Sequence, residues 1–212
     1  MKYGVVTLLS LSEKLINMNK SIFNTVEAVF LYPVVVLYYL LLPKAIIELI
    51  KSDMQVSEMP HLSLWSFSKN FCFHADFRSV VYIRLKWRRR FWGILKPGIP
   101  TFYNLTPNIG HSMYIQHGFA TIVYAEKIGH HFFVNQQVTI GYGNSGKPTI
   151  GNYVQVRAGA KVIGNITIGD DVIIGANAVV TKDVPSHSVV VGIPAHTIKT
   201  RSSLDEPWQY LK

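Results

Sequence analysis

The chain has 212 residues and a mass of 23.9 kDa, enough for one large domain or for a small domain with an extension. Hydrophobic residues make up 49% of it and charged residues 16%, a composition that excludes a wholly disordered chain. Its single cysteine, Cys72, excludes an intramolecular disulfide framework and a cysteine-based zinc finger. The formal net charge of +9 favours anionic partners, which include nucleic acid, lipid headgroups and phosphorylated cofactors.

Residues 1–100 are predicted to form an α-helical N-terminal region. Apolar residues recur at helical spacing in residues 45–54 and again in residues 77–85. The stretch KPGIP at residues 96–100 combines proline and glycine and ends the helical region. The apolar residues 4–11 are not followed by a small-residue cleavage site, so no signal peptide is expected.

Residues 28–43 (AVFLYPVVVLYYLLLP) form the most apolar segment, without a charged side chain. As a helix the segment would extend about 24 Å, short of a hydrocarbon core of about 30 Å, and Pro33 would kink it. A buried or oligomer-interface helix is therefore favoured over a spanning helix. The alternative is that the segment lies at the membrane interface, because the side chains of Tyr32, Tyr38 and Tyr39 suit the depth of the lipid headgroups.

Branched aliphatic residues recur every six positions in the second half, with one extra residue before the third of them and four before the seventh. The twelve positions are Ile109, Ile115, Ile122, Ile128, Val134, Ile140, Ile150, Val156, Val162, Ile168, Ile174 and Val180. Glycine often follows the aliphatic residue, and small or aliphatic residues stand four positions after it, as at Val138, Val154, Ala160, Ile166, Val172 and Ala178. A six-residue repeat with one inward aliphatic side chain is typical of a parallel β-helix. A mainly β fold is therefore predicted over residues 101–200, followed by a tail at residues 201–212.

The stretch from His117 to Ala195 resembles the hexapeptide acyltransferases with a left-handed parallel β-helix, and among them the serine O-acetyltransferase branch. That branch includes serine acetyltransferase-like proteins of polysaccharide gene clusters. The motifs GANAVVTKDVP and VGIPA are specific to the family but do not distinguish acceptors. The resemblance implies a left-handed β-helix, a homotrimer, and acetyl-CoA as acyl donor in the groove between neighbouring prisms. It also implies a cytoplasmic enzyme; contact with the inner face of the membrane is the alternative.

The resemblance also implies which residues contact the cofactor. Small residues that leave room for the pantetheine arm are Gly141, Ala158, Gly159 and Ala176, and residues near the CoA phosphates are Thr181, Lys182 and, as a weaker match, Lys199. The alternative for the alanines is ordinary packing in the prism, and for Lys182 a solvated turn. Backbone N–H groups near residues 141–146 are possible donors to the oxyanion.

Acetyl transfer to an alcohol requires a general base, and histidine suits this role because its ordinary pKa is near 6.5. Among the eight histidines, the resemblance selects His117, which matches the catalytic base of serine acetyltransferases. Two neighbouring carboxylates of the family are replaced by amides, Gln116 beside the base and Asn104 as the group that would orient it. An asparagine accepts a hydrogen bond from imidazole but does not stabilise imidazolium by charge.

The acceptor is predicted to be serine, with a sugar hydroxyl in capsule or exopolysaccharide assembly as the alternative. Asp53 matches an acid of the family's helical half and is a candidate substrate-binding residue; the alternative is a surface acid at a helix end. The short loop YGNSGKP carries Lys147 where the family has a longer loop with a second histidine. A serine ammonium group therefore lacks two expected neighbours, which strengthens the case for a neutral acceptor.

The basic run at residues 84–92 mixes arginines with aromatic residues and could contact anionic lipid or single-stranded nucleic acid. No recognisable nucleic-acid-binding motif supports the second interpretation, so nucleic acid is not expected as a partner. A non-catalytic trimeric scaffold that binds an anionic membrane or polymer is the alternative from another functional class. A metal is not expected either, because six-residue spacing places His111 and His117 on different faces of one coil.

Overall fold

A computed structural model describes residues 31–56, 63–86 and 98–211. Its N-terminal part contains four helices. They are α1 (Leu31–Leu40), α2 (Lys44–Val56), α3 (Leu64–Phe73) and α4 (Ala75–Leu85). The helical spacing predicted for residues 45–54 and 77–85 is confirmed by α2 and α4.

Local hydrogen bonds define where these helices begin and end. Ser63 and Ser66 form a reciprocal capping box that starts α3, which satisfies backbone donors that the first helical turn leaves without partners. Arg78 of α4 donates from Nη1 to the carbonyl of Phe71 at 2.8 Å and thereby caps the end of α3. Cys72 is buried beside this contact. The helices share an apolar core built around Ile50, Met54, Phe67, Phe71 and Val81.

Residues 102–191 form a parallel β-helix with three faces. Face A consists of β1 (Phe102–Asn104), β3 (Thr121–Val123), β6 (Thr139–Gly141), β9 (Lys161–Ile163) and β12 (Val179–Val180). Face B consists of β4 (Lys127–Ile128), β7 (Thr149–Ile150) and β10 (Thr167–Ile168). Face C consists of β2 (Tyr114–Ile115), β5 (Phe133–Val134), β8 (Gln155–Val156), β11 (Val172–Ile174) and β13 (Ser188–Val191). The five strands of face A mark five coils, which confirms the predicted fold class.

The predicted aliphatic positions fill the interior of the prism with one exception. Ten of the twelve predicted side chains are buried, and Ile109 is partly buried against them. Ile122 was predicted to point inward, but it is 44% exposed and its neighbour Val123 is fully buried opposite Ile140. The prediction was wrong there because the turn between β2 and β3 contains two extra residues instead of the one that the register assumed, and this shift of one residue moves the inward position from Ile122 to Val123.

One edge of the prism explains the recurring glycines. Where each coil passes from face B to face C, Gly110, Gly129, Gly151 and Gly169 lie one above another. A Cβ atom added at Gly129 would lie 2.5 Å from the carbonyl oxygen of Gly151, and one added at Gly110 would lie 2.6 Å from the carbonyl carbon of Gly129. Glycine is therefore required at this edge because successive coils approach backbone to backbone.

The C-terminal tail is part of the β structure. β14 (His196–Thr200) pairs antiparallel with β13, and β15 (Gln209–Tyr210) pairs antiparallel with β14. The buried carboxylate of Asp171 anchors the tail: Arg201 donates to both of its oxygens, and the guanidinium of Arg201 also lies 4.2 Å above the ring of Trp208. The tail thus closes the last coil of face C.

The two segments with predicted membrane contact are described only in part. Residues 28–30 and 87–92 lie outside the described residues. Within the described chain, no single helix has the length and apolar character to cross a bilayer, although α1 and α2 taken together, bent by 119°, satisfy that test of length and composition. Arg84, predicted as part of an exposed basic run, is instead buried in an ion pair.

Candidate functional site

His117 lies in an exposed loop where the first coil passes from face C to face A, here called the His117 edge. The loop joins β2 to β3, and His117 itself has a positive φ of 54°. The backbone N–H of Gln116 donates to the carbonyl of Val134, and the N–H of Gln137 donates to the carbonyl of Phe119. Both ends of the loop are therefore tied to the second coil, while the imidazole faces solvent.

Below this loop the same edge carries Gln136 in the second coil and small residues in the third and fourth coils. The N–H of Gly159 donates to the carbonyl of Gln136, and the N–H of Asn177 donates to the carbonyl of Ala158. These hydrogen bonds place Ala158 and Ala176 in line beneath His117. With about 4.8 Å between neighbouring strands, the line from the first to the fourth coil is roughly 14 Å long.

The amides that replace the family's carboxylates are already engaged. Gln116 accepts a hydrogen bond from Nδ2 of Asn135 at 2.8 Å, and Asn104 accepts one from the backbone N–H of Thr106 at 3.1 Å. Within the described part of the chain, no hydrogen bond joins Asn104 to His117. Asn104 ends β1 on the far side of face A, so one chain alone does not bring these two predicted residues together.

Asp53 is neither a surface acid nor an open substrate contact. Its two carboxylate oxygens accept hydrogen bonds from Arg84 at 2.7 and 2.8 Å, and one of them also accepts the backbone N–H of Met113 at 2.7 Å. Burial raises the pKa of the Asp53 carboxyl above its ordinary value, and Arg84 opposes that effect only in part. The pair joins α2 and α4 to the first coil, because Arg84 also donates to the carbonyls of Ile109 and Gly110.

The other predicted cofactor residues are divided between two edges. Gly159 lies on the His117 edge with Ala158 and Ala176. Gly141, Thr181 and Lys182 lie where the coils pass from face A to face B, here called the Lys182 edge. A Cβ atom added at Gly141 would meet no other atom within 4 Å. Lys199 stands apart from both edges in β14, where its ammonium lies 4.0 Å above the ring of Tyr210.

The short loop on the Lys182 edge is a tight hairpin. Gly143 and Gly146 each donate their backbone N–H to the other's carbonyl, at 2.9 and 3.3 Å. These two N–H groups are therefore engaged within the loop, and the prediction of oxyanion donors near residues 141–146 concerns its other backbone N–H groups. Lys147 forms an ion pair with Glu126 at 2.8 Å and lies 4.7 Å from the ring centre of Tyr124, so its charge is held at the surface of the second and third coils.

A histidine cluster escaped the sequence analysis. On the edge between faces B and C, the rings of His111 and His130 stack in parallel with centroids 5.0 Å apart, and Nδ1 of His130 lies 2.9 Å from Nδ1 of His131. Burial, with His130 and His111 nearby, lowers the pKa of His131. The register contained the signal, since His111 and His130 both stand two residues after an aliphatic position of face B. Among the described residues, no group of three or more His, Cys, Asp or Glu side chains is arranged to hold a metal ion.

Comparison with known proteins connects this fold to a family. Residues 147–182 match the family described as "Bacterial transferase hexapeptide (six repeats)". Serine acetyltransferase of Staphylococcus xylosus is 46% identical over 98 residues, which are 43% of this chain and 44% of that protein. The resemblance to hexapeptide acyltransferases of the serine acetyltransferase type is confirmed. Serine acetyltransferase of Synechococcus elongatus is 46% identical over 95 residues, which are 42% of this chain and 39% of that protein. In both relatives, the matched region spans less than half of the protein's length.

Solved structures agree with the hexapeptide architecture. A serine acetyltransferase in complex with CoA is 25% identical, with a TM-score of 0.54 over 73% of this chain and 70% of that one. The serine acetyltransferase of Neisseria gonorrhoeae shares the fold at 22% identity, with a TM-score of 0.53 over 73% of this chain and 68% of that one. The alignments cover more of the chain than the β-helix alone, so the shared architecture includes part of the helical half.

Proposed function

We propose that this protein is an acetyl-CoA-dependent O-acetyltransferase in which His117 is the general base. The observation that carries the proposal is the position of His117, exposed at the head of an edge whose third and fourth coils present Ala158 and Ala176. A narrow donor such as a pantetheine arm fits along small residues that project little from the prism. The sequence match to serine acetyltransferases supports the same reaction class.

In the proposed reaction, His117 accepts the proton of the acceptor hydroxyl as its oxygen attacks the thioester carbonyl. A C–O bond forms, and the carbonyl oxygen carries the negative charge of the tetrahedral intermediate. Collapse of the intermediate breaks the C–S bond, and the imidazolium returns its proton to the departing CoA thiolate. The products are the O-acetyl ester and free CoA, and His117 is neutral again.

The cofactor would use both edges of face A through a homotrimer. Gly141 supports this arrangement. A Cβ atom at this position would meet no atom of the same chain within 4 Å, so packing within one chain does not explain why the residue is glycine. We expect Gly141→Ala to fold normally and to weaken CoA binding, as measured by calorimetry beside an unfolding curve. Normal CoA affinity in this variant would contradict the assignment of Gly141.

Serine is the first acceptor to test, since the named relatives are serine acetyltransferases. A neutral sugar hydroxyl is the second candidate, and a specific observation favours it. The groups at the three predicted positions offer no free carboxylate for an ammonium group: Asp53 is paired with Arg84, and the other two positions are Asn104 and Gln116.

The deciding experiment measures release of free CoA from acetyl-CoA with serine and with a panel of free and nucleotide-linked sugars. His117→Ala should lower turnover by about two to four orders of magnitude, the usual contribution of a general base. His74→Ala is the matched control, because His74 is exposed and its side chain makes no capping hydrogen bond. Near-normal turnover in His117→Ala would overturn the mechanism, and absence of acetyl-CoA binding in the wild-type protein would favour a scaffold.

A further inference from the structure

A large cavity separates the helical half of the chain from face B and is here called the junction cavity. Its volume is about 760 Å³, within the range of about 300–1,000 Å³ that is usual for organic ligands. Residues that line it include Lys86 at the end of α4, Lys127 of β4, and the histidines His111 and His130. His117 is not among the lining residues, so the cavity lies apart from the proposed general base; Asn104, the residue predicted to orient that base, does line it.

All the charged residues described on the cavity wall are cationic. Lys86 and Lys127 are exposed, and none of the described lining residues is an aspartate or a glutamate. Arg84 also lines the cavity, but Asp53 behind it offsets its charge. Cations on the walls of a cleft with no neighbouring anion concentrate a positive potential inside it, which favours an anionic ligand.

The polar groups beside the lysines suit the same kind of ligand. His111 and His130 border the cavity as a parallel stack, and the cavity wall between the coils also carries the amides of Asn108 and Asn152. Oδ1 of Asn152 accepts the backbone N–H of His130 at 3.0 Å, which fixes this side chain on the wall. Imidazole and amide N–H groups are hydrogen-bond donors for phosphate oxygens.

The cavity also has apolar and aromatic lining residues. They are Leu49 of α2, Tyr82 and Ile83 of α4, and Ile109 and Ile128 of the first two coils. Apolar walls with a few converging polar groups are typical of sites for organic molecules rather than for inorganic ions. The cavity therefore combines cations with a surface against which an organic group can pack.

We propose that the junction cavity binds an organic phosphate, of which a nucleoside diphosphate is the representative. Lys86 and Lys127 contact the phosphates, the two stacked histidines border them, and the base or another flat group packs against Tyr82 and Ile83. The cavity lies between α4 and the first coils, so the bound ligand would contact both halves of the chain.

The test uses calorimetry with uridine diphosphate on the full-length protein, in the presence of saturating CoA to block the proposed cofactor site. Lys127→Gln and Lys86→Gln should each weaken binding about tenfold, the usual result of losing a charged hydrogen-bond partner. Lys44→Gln is the matched control, because Lys44 is exposed on α2 and lies outside the cavity. Proton NMR of the histidine rings should show His111 and His130 shifting on addition of the ligand.

Several results would overturn the proposal. One is absence of binding by wild-type protein at millimolar uridine diphosphate; another is binding that both lysine variants retain. Inorganic phosphate that binds as tightly as uridine diphosphate would remove the organic part of the assignment. Binding that CoA abolishes would place the ligand at the cofactor site instead. Because none of these measurements needs acetyl transfer, an inactive enzyme would leave the outcome readable.

Discussion

The ion pair between Asp53 and Arg84 should be a principal link between the helical half and the β-helix. Both side chains are nearly inaccessible to solvent, with exposed fractions of 2% and 4%. Removal of one partner leaves the other charge buried without compensation, which usually costs about 3–5 kcal/mol. We therefore expect Asp53→Asn and Arg84→Met each to lower the free energy of unfolding by about that amount.

The double variant separates charge pairing from backbone contacts. With both charges removed, the pair no longer incurs its desolvation penalty, and the amide oxygen introduced by Asp53→Asn can still accept the N–H of Met113, but the carbonyls of Ile109 and Gly110 lose a donor. The remaining cost should be about 1–3 kcal/mol, less than the sum of the single variants. Urea unfolding at fixed protein concentration, followed by tryptophan fluorescence, measures all three variants.

Two outcomes would refute this reasoning. Single variants that cost less than about 1 kcal/mol would show that the pair is solvated or absent. Asp53→Asn that leaves unfolding unchanged but raises the KM for the acceptor would return Asp53 to the substrate-binding role expected from the sequence. The two readouts are independent, so a purely structural Asp53 and a substrate-binding Asp53 are distinguished.

Three further predictions concern the β-helix. Burial acts to raise the pKa of Asp171, but hydrogen bonds from Arg201 and His187 outweigh it and hold that pKa below its ordinary value of 3.8. The stability of the wild-type protein should therefore fall as pH drops below about 4. In urea titrations, Arg201→Gln should show a smaller fall in stability between about pH 5 and pH 3. Gly129→Ala should lower the melting temperature markedly, since its Cβ would lie 2.5 Å from the carbonyl oxygen of the next coil, and an unchanged melting curve would contradict the close stacking. Gln136→Met should raise the free energy of unfolding by about 1 kcal/mol, because it removes a buried carboxamide oxygen that has no partner among the described residues; a loss of stability would show that the oxygen is hydrogen-bonded.

The six-residue register predicted the fold because the same physical requirement recurs in every coil. Each inward position must be apolar, and so the pattern survives the four-residue insertion before Ile150. It failed at Ile122 because Ile122 and Val123 are both aliphatic, and composition does not reveal which of two neighbours points inward. Only the pairing of Val123 with Ile140 resolves that choice.

The sequence predicted the site less well than the fold. Side chains that contact each other across coils are one full coil apart in the sequence, not one six-residue repeat apart. Comparison of His111 with His117, six residues apart, separated two faces but did not predict that His111 stacks on His130, which lies one full coil away. The partners of Asp53 were also beyond reach, since Arg84 and Met113 are 31 and 60 residues distant in the chain. No local pattern predicts a contact of that kind.

The distribution of candidate residues supports a site shared between two chains. His117 and the small residues beneath it occupy one edge of face A, whereas Gly141 and Lys182 occupy the other edge. At about 3.3 Å per extended residue, these edges are separated by roughly 15 Å across the face. A donor that lies along the His117 edge would contact Lys182 if a neighbouring prism brought its own Lys182 edge against it. The proposed homotrimer would supply this arrangement, because neither edge by itself carries both His117 and Lys182.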